Sequence, residues 1–175
     1  PMGEATGAGA IFGTTGGVME AALRTAQDIL TGKDLPKIDF EQVRGGKGIK
    51  RATINIAGTN INVVAASGLS NARKIMEEIK SGKSNYQFVE IMACPGGCIM
   101  GGGQPIKNSK IRAEVDVRKL RADSLYSIDE KSTIRKSHEN PILKKIYEEY
   151  LEKPGSYRAE KLLHTKYTKR EKYNI

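Results

Sequence analysis

Apolar and polar residues alternate along this chain with two different periods, and the changes of period mark out its elements. Val18, Ala22, Ala26 and Ile29 or Leu30 recur at helical spacing, with Glu20, Arg24, Gln27 and Asp28 falling largely elsewhere. That spacing predicts a helix over about 17–31, stopped by Gly32. Its start directly after a Gly-rich stretch, 5–17, is expected to offer free N–H groups and a partial positive charge to an anion. An extended stretch from Leu35 and Pro36 through Phe40 and Val43 leads to a turn at Gly45, Gly46 and Gly48. The run 49–56 then alternates with period two, Ile49, Arg51, Thr53 and Asn55 on one face and Lys50, Ala52, Ile54 and Ile56 on the other. With strand character resuming after a turn at Gly58, Thr59 and Asn60, the pattern predicts an antiparallel hairpin over about 49–66.

Helical spacing returns over about 68–80, where Leu69, Ala72, Ile75 or Met76 and Ile79 form a stripe that ends at Gly82. Residues 86–92 read as a strand. Strand, helix, strand in this order suggests a right-handed crossover within one sheet. After Pro105 a polar stretch gives way to a weaker helical pattern over about 115–127, around Val117, Leu120, Leu125 and Ile128. Asn140 and Pro141 form a helix start signal, followed by the stripe Ile142, Leu143, Ile146, Tyr147, Tyr150 and Leu151. Pro154 and Gly155 end that helix, and a last one over about 156–165 carries Ala159, Leu162 and Leu163. The residues from Thr165 on are polar. No internal repeat or low-complexity linker interrupts the chain.

Composition agrees with a folded α/β domain: 175 residues and a hydrophobic fraction of 38% suffice for one core. No apolar stretch has the length needed to cross a bilayer. The opening PMGEATGAGAIFG lacks the basic and apolar regions of a signal peptide, and the chain is expected to be a fragment or part of a larger protein. The net charge is +9, and the segment from Lys107 onward, with 18 basic and 11 acidic side chains, holds +7 of it. A basic surface of this kind is a solvated face or a docking site for an acidic protein; scattered aromatics and the lack of a finger or helix-turn-helix spacing argue against nucleic acid. With two cysteines only, nothing points to a disulfide-stapled secreted module, and a reducing, cytoplasmic setting is expected.

Those cysteines, Cys94 and Cys98, lie in the loop after the predicted strand, within FVEIMACPGGCIMGGGQP, residues 88–105. Soft thiolates favour iron–sulfur clusters, zinc or copper(I). A cubane or a structural zinc takes four ligands, so two cysteines cannot complete either. His138 and His164 are remote in sequence and sit near predicted helix ends. Gly96, Gly97, Gly101, Gly102 and Gly103 leave N–H groups able to form a nest toward a negatively charged cluster. From the residues alone a structural loop, a cluster loop and a redox dithiol all remain open.

EIMACPGGCIMGGGQP, Glu90–Pro105, closely resembles the third signature of the iron-only ([FeFe]) hydrogenases. GAGAIFGTTGGVMEAALRTA (Gly7–Ala26), the run Val117–Ser156 and KLLHTKY (Lys161–Tyr167) also resemble that family, in family order and over essentially the whole chain. The resemblance implies a [4Fe–4S] cubane joined to a two-iron centre bearing CO, cyanide and a bridging dithiolate, together the H-cluster. Cys94 would be a cubane ligand, and Cys98 the ligand whose sulfur also bridges to the two-iron centre. Met92 would line the pocket, and Phe12 with the loop Gly13–Gly17, Gly13, Gly16 and Gly17 included, would approach the diatomic ligands. The family's first two signatures carry the other two cubane cysteines, a proton-passing cysteine and a cyanide-binding lysine, and none of these is in this sequence. Lys166 departs from the histidine expected there.

The fold so implied is α/β, a twisted mixed sheet flanked by helices and forming one lobe of the two-lobed catalytic domain. Residues 1–106 would be the cluster-facing lobe and 107–175 a mainly helical carboxyl-terminal wrap. The activity implied is the reversible reduction of protons to hydrogen, dependent on an acidic ferredoxin. The chain alone is expected to be inactive, to require the remainder of the catalytic domain, and to self-associate if isolated. The alternatives are an iron–sulfur assembly protein like nuclear prelamin A recognition factor, a sensory relative, or an apo structural fragment. Pro95-Gly96-Gly97 favours the hydrogenase.

Overall fold

The computed structural model describes residues 3–33, 39–40, 43–44 and 48–171. Three strands form one mixed sheet in the order β1-β2-β3: β1 Ile49–Ile56, β2 Thr59–Ser67 and β3 Phe88–Met92. β1 and β2 are antiparallel, with Ile56 opposite Thr59, and β2 and β3 are parallel, with Ser67 opposite Met92. Helices α1 (Gly7–Ala10) and α2 (Gly17–Thr31) precede the sheet, and α3 (Leu69–Lys80) links β2 to β3. After β3 come α4 (Ser109–Glu114), α5 (Val117–Lys131), α6 (Pro141–Ile146) and α7 (Tyr157–Leu163). The strand-helix-strand unit is thus present. Of the extended stretch and glycine turn expected over 35–48, most lies outside the described residues.

The sheet is covered on both faces. Ile54 and Ile56 of β1, with Val63 and Ala65 of β2, pack against Met19 and Leu23 of α2, with Val43 completing the cluster. Val64 and Ala66, on the other side of β2, pack against Ile75 of α3. Because β2 is central and buried on both sides, Val63 to Ser67 read as a continuous buried run instead of alternating. Burying each Val, Leu or Ile side chain contributes about 1.5–3 kcal/mol. The predicted stripe on α3 is only partly used: Ile75 is fully buried, whereas Leu69, Met76 and Ile79 are exposed.

The largest departure from the sequence pattern is the orientation of α2. Its predicted inner face included Ala22, Ile29 and Leu30, which are exposed; Glu20 and Arg24, assigned to the polar side, are completely buried along with Met19 and Leu23. α5 departs in the same way. Asp129 is its fully buried residue, and Leu120 and Ile128 are exposed. Ion pairs between these helices, described below, set their rotation, and apolar periodicity does not.

Smaller differences have local causes. The hairpin turn is the two-residue pair Ala57-Gly58, one step earlier than expected, because Asn60 continues the ladder and its side chain accepts from Asn55 Nδ2 at 2.8 Å. The polar stretch after Pro105 contains α4, capped by Asn108 through Ile111 N at 2.9 Å. Asn140 caps α6 as predicted, accepting from Ile142 N and Leu143 N. That helix then widens into a π turn over Tyr147–Leu151 and stops at Glu152, where φ is 70°. On α7, Ala159 is buried while Leu162 and Leu163 stay exposed. Among the described residues no helix is long and apolar enough to cross a membrane.

Ala57 and Gly58 both have positive φ, 50° and 86°, as a type I′ hairpin turn requires. An alanine there carries the steric penalty of the left-handed region. Ala57→Asn, which installs the preferred Asn-Gly pair, should raise stability by about 0.5–1 kcal/mol. Urea unfolding should show a higher midpoint at unchanged m value.

Candidate functional site

The loop after β3 carries both cysteines, and both thiols are free and exposed. Its shape comes from successive tight turns. Gly97 N donates to Cys94 O, Met100 N to Gly97 O and Gly101 N to Cys98 O, each at 3.0 Å, and Gln104 N donates to Gly101 O at 3.1 Å. Gly96 and Gly97 sit at φ 86° and 90°, so this pair between the cysteines needs the freedom of glycine. Gly96 N is tied to the end of β2 by Ser67 Oγ at 2.9 Å. Behind the loop, Arg121 of α5 donates to the carbonyls of Ile99 and Pro105 at 2.7 Å. The nest expected of five glycines is therefore smaller, since the N–H groups of Gly96, Gly97 and Gly101 are committed within the chain. Gly102 and Gly103 have open space around them, and a Cβ on Gly101 would lie 3.6 Å from Cys94 Sγ.

A second loop, carrying Phe12 to Gly17, meets the first. A Cβ on Gly97 would lie 2.9 Å from both Gly13 O and Thr15 N, so the two backbones touch. Phe12 is exposed, Gly13 is half-buried, and Gly16 and Gly17 are buried at the start of α2. Met92 is half-buried at the end of β3, on the face that also holds Phe88 and Glu90. All the residues singled out from sequence thus lie on two loops, or on the strand end leading into one of them. A cleft of about 510 Å³ opens beside their contact, lined by Thr14, Thr15, Gly96, Ile99, Arg118 and Tyr126.

The start of α2 does bind an anion, and that anion belongs to the protein. Glu90, buried in the middle of β3, accepts from Gly16 N at 2.6 Å through Oε1 and from Met19 N at 2.7 Å through Oε2. Sequence reasoning expected these N–H groups to be free and did not single out Glu90. The available signal was a lone charge in the centre of FVEIM. Burial pushes the Glu90 carboxyl above its ordinary value, against the opposing pull of the Gly16 and Met19 N–H groups.

Below this loop lies a buried ion cluster that sequence reasoning also missed. Arg24 reaches Asp129 through both terminal nitrogens at 2.8 Å and Glu20 at 2.8 Å. Arg44 donates to both Glu20 oxygens, at 2.8 and 2.7 Å, and Arg135 reaches Asp129 at 2.6 Å and Asp39 at 2.8 Å. The Arg44 guanidinium also stacks over the Tyr126 ring, 4.4 Å from its centroid. Tyr126 Oη in turn pairs with Thr14 Oγ1 at 3.1 Å, and burial pushes this phenol up to about 12. The spacing of Glu20 and Arg24, four residues apart on one helix, was the readable hint.

Among the described residues one further cluster of possible metal ligands occurs, and it is a weak one. Ligand atoms of Asp28, His138 and Glu139 lie within 4.8 Å of one another. The Lys136 ammonium already occupies that place, 2.6 Å from Asp28 and 3.6 Å from Glu139, and opposes a second cation. His138 is engaged by Thr25 Oγ1 at 3.0 Å and Asp28 at 3.3 Å.

Over residues 1–102 the chain matches the family described as iron only hydrogenase large subunit, C-terminal domain, and over 115–170 the iron hydrogenase small subunit. It is 51% identical to iron hydrogenase 1 of Clostridium pasteurianum over 96% of its own length and 29% of that protein's. A solved variant of the [FeFe]-hydrogenase HydA1 from Chlamydomonas reinhardtii superposes with TM-score 0.67 and 40% identity, covering 89% of this chain and 45% of the other. Protein NAR1 of Arabidopsis thaliana is 32% identical over 90% of this chain and 33% of its own length. The chain thus spans a third or less of these curated relatives.

The ion cluster has a testable pH signature. Burial acts to raise Asp129, but hydrogen bonds and charge from Arg24 and Arg135 outweigh it and hold its carboxyl below the ordinary 3.8. Asp39 is likewise held low by Arg135 and Arg44 against the opposing effect of burial. A depressed carboxylate gives stability that is present above the unfolded value and lost as pH falls through the folded one. Melting temperature should therefore hold from pH 7 to about 5 and fall below about 4. Asp129→Ala, which leaves the buried Arg24 with Glu20 as its carboxylate partner, should cost about 3 kcal/mol at pH 7 in urea unfolding and flatten the acid limb.

Proposed function

The chain belongs to the iron-only hydrogenase family, and from that premise we propose that it is the carboxyl-terminal part of a catalytic domain that reversibly reduces protons to hydrogen. The observation that carries this reading is the pair of exposed thiols, four residues apart on a turn-built loop, set against the Gly13–Gly17 loop. The group in question is the H-cluster, a [4Fe–4S] cubane with a two-iron centre. The donor set fits half of it. Cys94 and Cys98 are soft, free and exposed, open backbone at Gly102 and Gly103 leaves room beside them, and a cubane takes four thiolates. The sequence has no further cysteine, so the remaining ligands fall to the rest of the catalytic domain, the first partner in this proposal.

Within the proposal each residue has a task. Cys94 and Cys98 would each hold the group through a thiolate, Cys94 on its cubane part and Cys98 on the side facing the two-iron part. Met92 and Phe12 would supply an apolar wall, and Gly13, Gly16 and Gly17 would let their loop pack tightly behind it, since a Cβ on each would meet Leu125, Val43 O or Ile11 O. When bound, the group supplies the redox and hydrogen-activating chemistry, while the protein positions it and limits water. The division into a cluster-facing part, 1–106, and a helical wrap, 107–175, belongs to the same proposal. It is supported by all three strands lying in the first part and α4 to α7 in the second. The exposed apolar residues Leu69, Met76, Leu120 and Ile128 suit coverage by the remaining lobe, and in isolation they would promote self-association. A cytoplasmic setting, first expected from the cysteine usage, stays with this reading. Its higher identity to the hydrogenase than to NAR1 places an iron–sulfur assembly role second.

In the complete catalytic domain, Cys94→Ser and Cys98→Ser should each lower bound iron and acid-labile sulfide and abolish hydrogen evolution. Full iron content and activity in both variants would overturn the assignment. The electron donor proposed is an acidic ferredoxin, drawn by the basic excess after Lys107. Lys119, exposed on α5 beside the cleft, is the residue to reverse. Lys119→Glu should slow ferredoxin-driven turnover several-fold at low salt and weaken its salt dependence, by roughly one charge pair's worth. An unchanged salt profile would remove ferredoxin from the proposal.

A further inference from the structure

Glu90 joins the two loops of the site without belonging to either. It lies on β3, two residues before Met92 and four before Cys94, so its backbone is fixed to the strand that delivers the cysteine loop. Its carboxylate is fixed to the other loop, since Oε1 and Oε2 take the N–H groups of Gly16 and Met19 at 2.6 and 2.7 Å. Both bonds are buried, and they engage the first turn of α2 next to Phe12 and Gly13. A second junction lies at Gly97, whose missing side chain leaves its backbone against Gly13 O and Thr15 N. Two junctions fix a relative placement that one would leave free to pivot.

We infer that Glu90 is a positioning residue: by holding the start of α2 against β3, it sets the distance between the Phe12–Gly17 loop and the Cys94–Cys98 loop. This rests on the functional reading above for what the loops approach, and on the geometry alone for the clamp. The carboxylate is required and not merely an acceptor of the right size. Glutamine offers one oxygen, and its amide would turn a donor toward the second N–H group. Glu90→Gln should therefore release one of the two N–H groups and let the loop shift without removing any ligand. A residue that served only to fill the core would instead weaken the whole sheet evenly.

Amide hydrogen exchange on the complete catalytic domain prepared without its cluster tests the clamp directly. In Glu90→Gln at least one of the Gly16 and Met19 amides should exchange about tenfold faster, while the β2 amides keep their wild-type rates. Equal acceleration of the β2 amides, or no acceleration at Gly16 and Met19, would overturn the inference. In cluster-loaded protein the CO and cyanide stretching bands should shift in the variant with iron content unchanged; identical bands would also overturn it. Absence of those bands from the wild-type protein would instead sink the functional reading and leave the exchange result standing. If Glu90→Gln does not fold, Glu90→Asp keeps the charge but draws the carboxylate back by one methylene, and the same exchange and band measurements apply. A shift of the same bands supports the two-junction account, and unchanged bands count against it.

Discussion

The fork between Arg24 and Asp129 is the interaction on which the rest of this structure depends. It is fully buried, it spans 105 residues of sequence, and it locks α2 to α5. Ions taken from water carry a desolvation cost of several kcal/mol each, so such a pair persists only when further hydrogen bonds and charges support it. Here Glu20 shares the Arg24 Nη2 that also reaches Asp129, Arg44 donates to Glu20 and Asp39, and Arg135 donates to Asp39 and Asp129. The cluster fixes the rotation of both helices, and that rotation brings Arg121 behind the cysteine loop and Tyr126 beneath Thr14. Charge pairing deep in the fold thereby determines where the loops at its surface stand.

The two loops are reached from different directions and share few residues with the hydrophobic core. One follows a parallel strand end, where Ser67 of β2 and the turns at Gly96 and Gly97 shape it. The other is the entry to α2, tied by Glu90 and by the hydroxyl of Thr14, which donates to Ile11 O at 2.8 Å. Polar contacts, most of them to backbone, do the final placement. Such contacts are directional and short, which gives a sharper geometry than apolar packing could impose.

Much of this was legible in the sequence because period and punctuation are local. The alternation of Ala52, Ile54 and Ile56, the Asn140-Pro141 start and the strand before Cys94 could each be read from a few neighbouring residues. The cysteine loop and its resemblance to a known family were legible for the same reason. The face of α2 was not, because Glu20 and Arg24 look like solvent-facing residues until Asp129, far along the chain, supplies their partner. Glu90 was hidden in a similar way: nothing adjacent to it says that a helix start 74 residues upstream will need its charge. The hairpin turn slipped by one residue because Thr59 and Asn60 suit a turn and a ladder about equally well.

The hydrogen bonds that shape the cysteine loop close among Cys94, Gly97, Cys98, Gly101, Ser67 and Arg121, all residues of this one polypeptide. The backbone entropy lost in ordering these turns is therefore offset by bonds made within the chain itself. Whatever the two thiols hold, the turns that carry them draw on no second chain for their shape.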